Sequence, residues 1–181
     1  MAVPAGHGPV LIIGAGISGL VLAQHLKQHD IPFLIFERDD NLTTRGVGWG
    51  LTLHWSLTSV ESLIPTKLYA RLPEAYVDRR AVDRGASSRF PFYDLSTGEL
   101  KFATPKAPHS QRIRVTRGKL RRLLATGIDI QWNKAFVSYI SDENSVTAKF
   151  DDGTTASGCL LVACDGGRSR CSVRKQHLHV L

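Results

Sequence analysis

The spacing of hydrophobic residues changes twice within the first forty residues of the chain, from a strand pattern to a helical pattern and back. Val10–Ile13 is a short apolar run rich in β-branched residues, which is typical of a strand buried on both faces of a parallel sheet. The period then becomes helical, and the pattern predicts an amphipathic helix that ends before Pro32. The predicted inner face of this helix consists of Gly19, Leu22, Ala23 and Leu26. Phe33–Phe36 is a second apolar run, so the order strand, helix, strand predicts an α/β fold.

The middle of the chain is richer in strand signals. From about residue 72 to residue 116 the pattern predicts a β-rich insertion, in which RFPFYDLSTGELKFATP forms two strands joined by a turn at Ser96–Gly98. Arg112–Val115 is a third extended run. We interpret the whole chain, residues 1–181, as one domain that carries this insertion.

A second helix is predicted to begin after Thr116, which is a candidate N-cap residue. Its apolar stripe consists of Leu120, Leu123 and Leu124, and it is predicted to end near Gly127. Beyond this helix, the segments IQWN, AFVSYI and SVTAKFDDGTTA favour successive strands, and the final strand is predicted in CLLVACDGG.

The last predicted strand ends in Asp165 and Gly166. The carboxyl ends of strands in an open α/β sheet border the crevice in which ligands bind. The dipeptide is therefore a candidate ligand contact, and an ordinary turn is the alternative.

Three glycines lie where the first strand meets the first helix, in the segment GAGISG. In such a strand–turn–helix unit Gly14 permits the tight turn, Gly16 lets the backbone approach a pyrophosphate, and Gly19 allows close packing of helix on strand. The amide groups at the helix start then face the anion. Because a strand precedes the motif and a helix and a second strand follow it, the pattern predicts a dinucleotide site in a Rossmann-type fold.

Glu37 comes directly after the second predicted strand. In this fingerprint the acidic residue at that position hydrogen-bonds a ribose 2′-hydroxyl. A carboxylate there repels a 2′-phosphate, so the predicted adenosine is that of NAD or FAD and not that of NADP. The motif does not separate NAD from FAD, and a solvated carboxylate at a strand end is the alternative interpretation of Glu37.

Two further segments contain candidate ligand contacts. One is a loop in which glycines alternate around Arg45 and Trp49, so that its backbone could approach a ligand closely. The other is the start of the second helix, where Arg117 occupies a turn in which the helix dipole disfavours a cation. This position indicates either an anionic or electron-rich partner for Arg117 or a structural salt bridge.

Composition narrows the classes of function. The chain has 23 basic and 16 acidic residues and a net charge of +7, which is compatible with nucleic-acid binding. The arginines occur in separated groups, without a long basic run or a nucleic-acid-binding module, so we expect no nucleic-acid partner. We interpret them as solvated surface residues or as contacts to an anionic cofactor and cosubstrate. The groups are Arg79 with Arg80, Arg121 with Arg122, and Arg168 with Arg170 and Arg174.

The chain contains no apolar run long enough to span a bilayer, and its start, MAVPAGHGPV, lacks the features of a secretory signal. We therefore expect a soluble, cytoplasmic protein with no membrane span. The cysteines form no C-x-x-C pair, so neither a disulfide framework nor a metal site is indicated. They are Cys159, Cys164 and Cys171.

Several motifs occur in an order that resembles one family. They are GAGISG, Glu37–Arg38, RGVGWGLTL, VTRGKLRRLL and FDDGTTASGCLLVACDGGRSR. Together they resemble the amino-terminal half of FAD-dependent aromatic-ring monooxygenases, the flavoproteins similar to p-hydroxybenzoate hydroxylase and salicylate hydroxylase. The resemblance covers almost the whole chain. It implies an FAD/NAD(P)-binding Rossmann-type three-layer domain with the beginning of a β-rich substrate domain, and it favours FAD over NAD.

The resemblance also implies roles for the residues of the first motifs. Gly14, Gly16 and Gly19 would hold the FAD pyrophosphate, and Glu37 would bind the adenosine ribose. Arg117 matches the family arginine that approaches the flavin cofactor.

Further positions match by the same resemblance. Gly48 and Gly50 match the glycine-rich loop beside FAD, and Arg45 lies near the loop involved in flavin movement. Asp165 and Gly166 match a second fingerprint, which helps to bind FAD and NAD(P)H in the family.

A complete member of the family uses NAD(P)H and O₂ to hydroxylate an aromatic or similarly electron-rich small molecule, and FAD supplies that chemistry. The resemblance therefore implies an FAD-dependent monooxygenase in which no residue of this chain need be a general acid or base. Two alternatives stay open, a truncated FAD-binding or partner-binding remnant and an NAD-dependent dehydrogenase. Because family members continue well beyond the matched region, association through a surface that the other half would cover is also expected.

Overall fold

The computed structural model describes residues 8–44, 49–108, 111–167, 169 and 171. The strands are β1 (Val10–Ile13), β2 (Phe33–Phe36), β3 (Gly50–Leu53), β4 (Ser87–Ser88), β5 (Pro91–Tyr93), β6 (Leu100–Ala103), β7 (Ala107–Pro108), β8 (Ile113–Thr116), β9 (Ile130–Gln131), β10 (Phe136–Ser141), β11 (Val146–Phe150), β12 (Thr155–Gly158) and β13 (Leu160–Ala163). The helices are α1 (Ile17–Gln28), α2 (Leu57–Leu63), α3 (Thr66–Tyr69), α4 (Arg79–Asp83) and α5 (Arg117–Leu124), with a 3₁₀ helix at Leu72–Ala75.

The central sheet is parallel and has the strand order β13, β1, β2, β9. Its pairing places Val10 of β1 opposite Phe33 of β2 on one side and Leu160 of β13 on the other. The predicted bounds of β1 and β2 are confirmed. Parallel neighbours need a crossover connection, and α1 supplies it between these two strands. The predicted α/β fold is therefore confirmed.

Successive side chains of β1 enter two different cores. Ile12 belongs with Ile35 to the core that α1 and α5 cover. Leu11 and Ile13 belong instead to a second core, shared with Phe150 of the antiparallel sheet β10–β11–β12. Because neighbouring side chains of a strand point to opposite faces, an apolar run such as β1 can fill both cores. The result is the expected three-layer arrangement of helices, parallel sheet and antiparallel sheet.

A separate antiparallel pair joins two segments that lie far apart in the sequence. β3 pairs with β8 in a register that places Gly50 opposite Thr116. As a consequence, the backbone N–H of Arg117 donates a hydrogen bond of 2.8 Å to the carbonyl oxygen of Trp49. The β3–β8 pair thus holds the start of α5 beside the segment that leads into β3.

The region predicted to be a β-rich insertion contains the antiparallel pairs β4–β7 and β5–β6 and the strand β8. The 3₁₀ helix and α4 lie in the same region. The division of the chain into one domain with an insertion at residues 72–116 stays a prediction.

The helix α1 has 12 residues. A helix that spans a bilayer needs about 20 predominantly apolar residues. In the part of the chain that the structure describes, none of the helices combines the length and the apolar character that a membrane span requires.

Candidate functional site

A cleft of about 410 Å³ lies at the carboxyl ends of β1, β2 and β13. Its volume falls in the range typical of small-molecule sites, and its place in the sheet is where α/β folds bind ligands. Several separate segments of the chain line it. The predicted contacts among its lining residues are Gly14, Gly16, Glu37, Arg117, Asp165 and Gly166.

Two of the fingerprint glycines are required by the protein itself. Gly14 has a φ of +105°, and a Cβ atom there would lie 2.6 Å from the carbonyl oxygen of Cys164. At Gly19 a Cβ atom would lie 2.0 Å from the carbonyl oxygen of Gly14. The first glycine is therefore needed by the turn, and the second by the packing of α1 on that turn. Gly19 itself does not line the cleft.

Gly16 has neither of these reasons to be glycine. Its φ of −78° is open to any residue. Among the described residues, a Cβ atom there would meet only the carbonyl oxygen of Cys164, at 3.9 Å. Gly16 lines the cleft and is the N-cap residue of α1. Free amide groups and the helix dipole favour an anion at such a position. The absent side chain leaves space that suits the close approach of a pyrophosphate.

Glu37 follows β2 and lines the cleft, yet the residue is only 7% exposed. Its Oε2 accepts a hydrogen bond of 2.9 Å from the backbone N–H of Ala15, in the turn between β1 and α1. Its Oε1 accepts one of 3.2 Å from the backbone N–H of Asp39. The alternative interpretation of Glu37 as a solvated strand-end carboxylate is therefore wrong.

Glu37 also has a charged partner that the sequence did not reveal. Arg121 of α5 is 2% exposed, and its Nη2 lies 3.2 Å from Glu37 Oε2 while its Nη1 lies 3.7 Å from Asp39 Oδ2. Its Nε donates a hydrogen bond of 2.8 Å to the carbonyl oxygen of Ala15. The guanidinium carbon lies 5.7 Å from the centre of the Trp132 ring. One buried cation thus joins α5 to the ends of β1 and β2.

The pair Arg121 and Arg122 was expected to solvate the surface or to contact an anionic cofactor. The structure separates the two residues, since Arg122 is exposed and Arg121 is buried in an ion pair. A signal for this exists in the sequence. Arg117, Arg121 and Leu124 recur with helical spacing and share one helix face, and Leu124 belongs to the apolar stripe that predicted the helix.

Arg117 begins α5 at the edge of the cleft, with its side chain partly buried. Thr116 is the N-cap residue, as predicted, but its side chain makes no capping hydrogen bond. The described residues include every Asp and Glu of the chain, and none of these carboxylates forms an ion pair with Arg117. Within the described residues, Arg117 therefore has no structural salt bridge. The anionic or electron-rich partner stays a prediction.

Asp165 and Gly166 follow β13 and line the cleft beside the glycine turn, where a Cβ atom at Gly14 would lie 3.0 Å from Asp165 Cα. Cys164 precedes them and lines it as well. Burial, and then the charge of Asp165, raises the pKa of the Cys164 thiol. A neutral thiol is a poor nucleophile and a poor metal ligand. Cys164 is therefore an uncharged, unreactive residue of the cleft lining.

The lysine that lines the cleft has its charge paired. Lys134 Nζ donates to the carboxylate of Asp152 and, at 2.9 Å, to Thr154 Oγ1. Hydrogen bonds from Lys134 and Thr154 lower the pKa of Asp152 to about 2. Among the residues described, Arg117 and Arg38 are then the cleft cations without a carboxylate partner.

The glycine-rich loop is only partly described. Gly50 begins β3 and does not line the cleft, although the next residue, Leu51, does. A Cβ atom at Gly50 would lie 3.0 Å from Arg114 Nε, so the side chain of Arg114 covers it. Arg45 and Gly48 lie outside the described residues. The binding roles of all the candidate residues stay predictions.

Comparison with known proteins identifies a family. The sequence profile described as FAD binding domain matches residues 7–177. A protein of Arthroderma benhamiae named "Probable FAD-dependent monooxygenase" is 52% identical over 163 residues, which cover 89% of this chain and 37% of that relative. The FAD-dependent monooxygenase dbaB of Emericella nidulans is 46% identical over 166 residues, which cover 90% of this chain and 41% of that relative. The chain thus spans about two fifths of the length of these relatives.

A solved structure shows the same fold. The 2,6-dihydroxypyridine-3-hydroxylase of Arthrobacter nicotinovorans superposes with a TM-score of 0.68 at 23% sequence identity. The superposition covers 96% of this chain and 40% of the hydroxylase.

Proposed function

The chain belongs to the FAD-binding domain family of FAD-dependent monooxygenases, and from this we propose that its cleft binds the ADP half of FAD. We propose further that the protein uses NAD(P)H and O₂ to hydroxylate an aromatic or similarly electron-rich small molecule. The family supports the cofactor and the class of enzyme. The substrate class, the reductant and the activity of the whole protein belong to the proposal.

The observation that carries the proposal is the surroundings of Gly16. Nothing among the described residues requires a glycine at this position, and its backbone lines the cleft at the start of α1. A pyrophosphate is an anion whose oxygens can approach backbone amides closely only where no side chain intervenes. The structure therefore fits the group that the family implies.

The remaining groups of the cleft divide between the two ends of the ADP moiety. Glu37 would accept a hydrogen bond from the adenosine ribose, and Arg117 would face the phosphates or the flavin at the other end. Asp165 and Gly166 line the cleft beside the glycine turn. When bound, FAD supplies the electron and oxygen transfer chemistry. The residues of this chain bind and orient the cofactor.

The proposal is tested by titrating the purified protein with FAD and following flavin fluorescence. We expect saturable binding that ADP competes away and that riboflavin, which lacks the ADP half, does not. Absence of FAD binding, or competition by riboflavin alone, would contradict the assignment of the cleft.

The reaction class needs a separate assay. FAD-loaded protein is supplied with NADH or NADPH and candidate phenols, and the products are analysed by mass. A product that has gained one oxygen atom supports a monooxygenase. Reduction of NAD⁺ by a substrate that loses two hydrogen atoms and gains no oxygen indicates a dehydrogenase instead.

Replacement of Glu37 by Gln is expected to weaken FAD binding about tenfold, since a hydrogen bond to a charged group is worth roughly 1.5 kcal/mol or more. Gln is preferred to Ala because it keeps the shape of the buried side chain, although it removes the charge that is paired with Arg121. FAD titration measures the effect. Glu143→Gln, an exposed substitution outside the cleft, is the matched control. Unchanged affinity in a folded Glu37→Gln protein would remove Glu37 from the site.

Replacement of Arg117 by Ala is expected to lower FAD affinity about tenfold without lowering the melting temperature. The side chain has no ion-pair partner among the described residues, and its charge opposes the helix dipole, so its loss costs the fold little. The exposed Arg122 of the same helix provides the control variant Arg122→Ala. A collapse in melting temperature with FAD affinity preserved would make Arg117 structural.

A further inference from the structure

We infer that Arg121 is a positioning residue, which holds the Glu37 carboxylate so that Oε1 faces the ribose 2′-hydroxyl of the bound adenosine. This inference rests on the proposed binding of the ADP half of FAD. It assigns a function to a residue of α5 that no motif of the sequence marks.

The contacts of Arg121 fix both its own side chain and that of Glu37. Its Nε donates to the carbonyl oxygen of Ala15 at 2.8 Å, and its Nη2 lies 3.2 Å from Glu37 Oε2. The backbone N–H of Ala15 donates to the same Oε2 at 2.9 Å. Ala15 and Arg121 thus hold one carboxylate oxygen from two directions, and a planar guanidinium has little freedom to move once its bonds are made.

The second carboxylate oxygen of Glu37, Oε1, can accept a further hydrogen bond. Oε1 accepts one hydrogen bond from a described residue, the 3.2 Å bond from the N–H of Asp39. An ionised carboxylate oxygen has about two acceptor positions. Glu37 lines the cleft, so a ribose hydroxyl that donates to Oε1 would complete the coordination of this carboxylate.

Charge at the site supports the same assignment. Glu37 and Asp39 are two carboxylates that share one buried guanidinium, at 3.2 Å and 3.7 Å. A hydroxyl can donate to such a site, whereas a 2′-phosphate would meet an excess of negative charge. Arg121 offsets part of that charge and is itself nearly inaccessible, at 2% exposed. Arg121 lines the cleft, but its guanidinium nitrogens are held by Ala15, Glu37 and Asp39, so we expect it to act on the ligand through Glu37.

The experiment combines removal of the Arg121 guanidinium from the protein with removal of the 2′-hydroxyl from the ligand. ADP and 2′-deoxy-ADP are titrated calorimetrically into the wild-type protein and into Arg121→Met, Arg121→Lys and Arg122→Met. The wild type is expected to bind ADP about tenfold more tightly than 2′-deoxy-ADP, the value of one hydrogen bond to a charged acceptor. In Arg121→Met this ratio is expected to fall to about one to two, and in Arg122→Met it is expected to stay at the wild-type value.

The ratio separates positioning from a merely structural role. Loss of stability alone, or loss of a direct phosphate contact, would weaken both ligands equally and leave the ratio unchanged, which would overturn the inference. Removing one partner of a buried ion pair is strongly destabilising, so Arg121→Lys is included as the variant that keeps a buried cation. Since a lysine lacks the planar fork, its ratio is expected to be at most half that of the wild type. A wild-type ratio in folded Arg121→Lys would also overturn the inference.

The two hypotheses fail in different ways. If the wild-type protein binds neither ADP nor FAD, the proposed function fails and the inference fails with it. If ADP binds but the wild type does not distinguish it from 2′-deoxy-ADP, the cofactor cleft stands and the positioning of Glu37 is wrong.

Discussion

Replacement of Gly16 by Ala is expected to reduce FAD affinity about 30- to 150-fold while the fold is retained. A methyl group in a filled site costs about 2–3 kcal/mol when neither side can move away. At Gly16 the turn and helix restrict one side, and the pyrophosphate would occupy the other. In the protein without ligand, the new Cβ atom would meet a single atom of the described residues, the carbonyl oxygen of Cys164, at 3.9 Å.

The free energy of unfolding of Gly16→Ala is expected to stay within about 1 kcal/mol of the wild type. Alanine is a poorer N-cap residue than glycine, but it also lowers the entropy of the unfolded chain, and these two effects oppose each other. Thermal unfolding without FAD and a fluorescence titration with FAD measure the two quantities separately. FAD affinity equal to that of the wild type would show that no ligand approaches this backbone.

Replacement of Gly19 by Ala, three residues further along, is expected to destabilise the protein itself. Its Cβ atom would lie 2.0 Å from the carbonyl oxygen of Gly14 and 3.2 Å from Cys164 Cβ. Backbone atoms of the turn cannot rotate away as a flexible side chain can, so α1 must shift from the sheet. We expect a loss of about 3 kcal/mol or more, which corresponds to a decrease in melting temperature of roughly 6–12 °C for a domain of this size.

The two alanine variants act as controls for each other. They carry the same substitution in the same motif, and the structure assigns the effect of one to the ligand and that of the other to the packing of α1. Thermal unfolding without ligand is the deciding measurement for Gly19→Ala. A melting temperature equal to that of the wild type would show that α1 can shift at no cost, and the packing account of this glycine would be wrong.

Much of the framework of the site was predictable from the sequence, since its signals are local. The apolar run Val10–Ile13, the glycines after it and the run Phe33–Phe36 specify strand, turn and strand over short distances. The position of Glu37 follows, because a residue at the end of the second strand of such a unit lies beside the turn. The helix α5 was predictable from its leucine stripe for the same reason.

Other features of the site depend on which distant segments become neighbours. The pairing of β3 with β8 brings the segment at Trp49 to the first residue of α5. The packing of α5 against α1 brings Arg121 to Glu37. No short stretch of the sequence predicts either contact, because strand pairing and helix packing depend on residues far apart in the chain. The helical spacing of Arg121 and Leu124 was a local signal that separates Arg121 from Arg122, but the partner of Arg121, Glu37, has no such signal.

The sequence by itself therefore determined the kind of site and its local chemistry: a glycine turn at the end of a buried strand, an acid at the end of the next strand, and the family to which both belong. Hydrophobic periodicity and turn residues provide this information because each pattern extends over only about one helix or strand. Only the tertiary structure decided that, among the described residues, a Cβ atom at Gly16 would meet just the carbonyl oxygen of Cys164 and Arg117 has no carboxylate partner. It also decided that Arg121 is buried against Glu37. Those facts depend on the distances between elements, which are set by the packing of two cores on opposite faces of one parallel sheet.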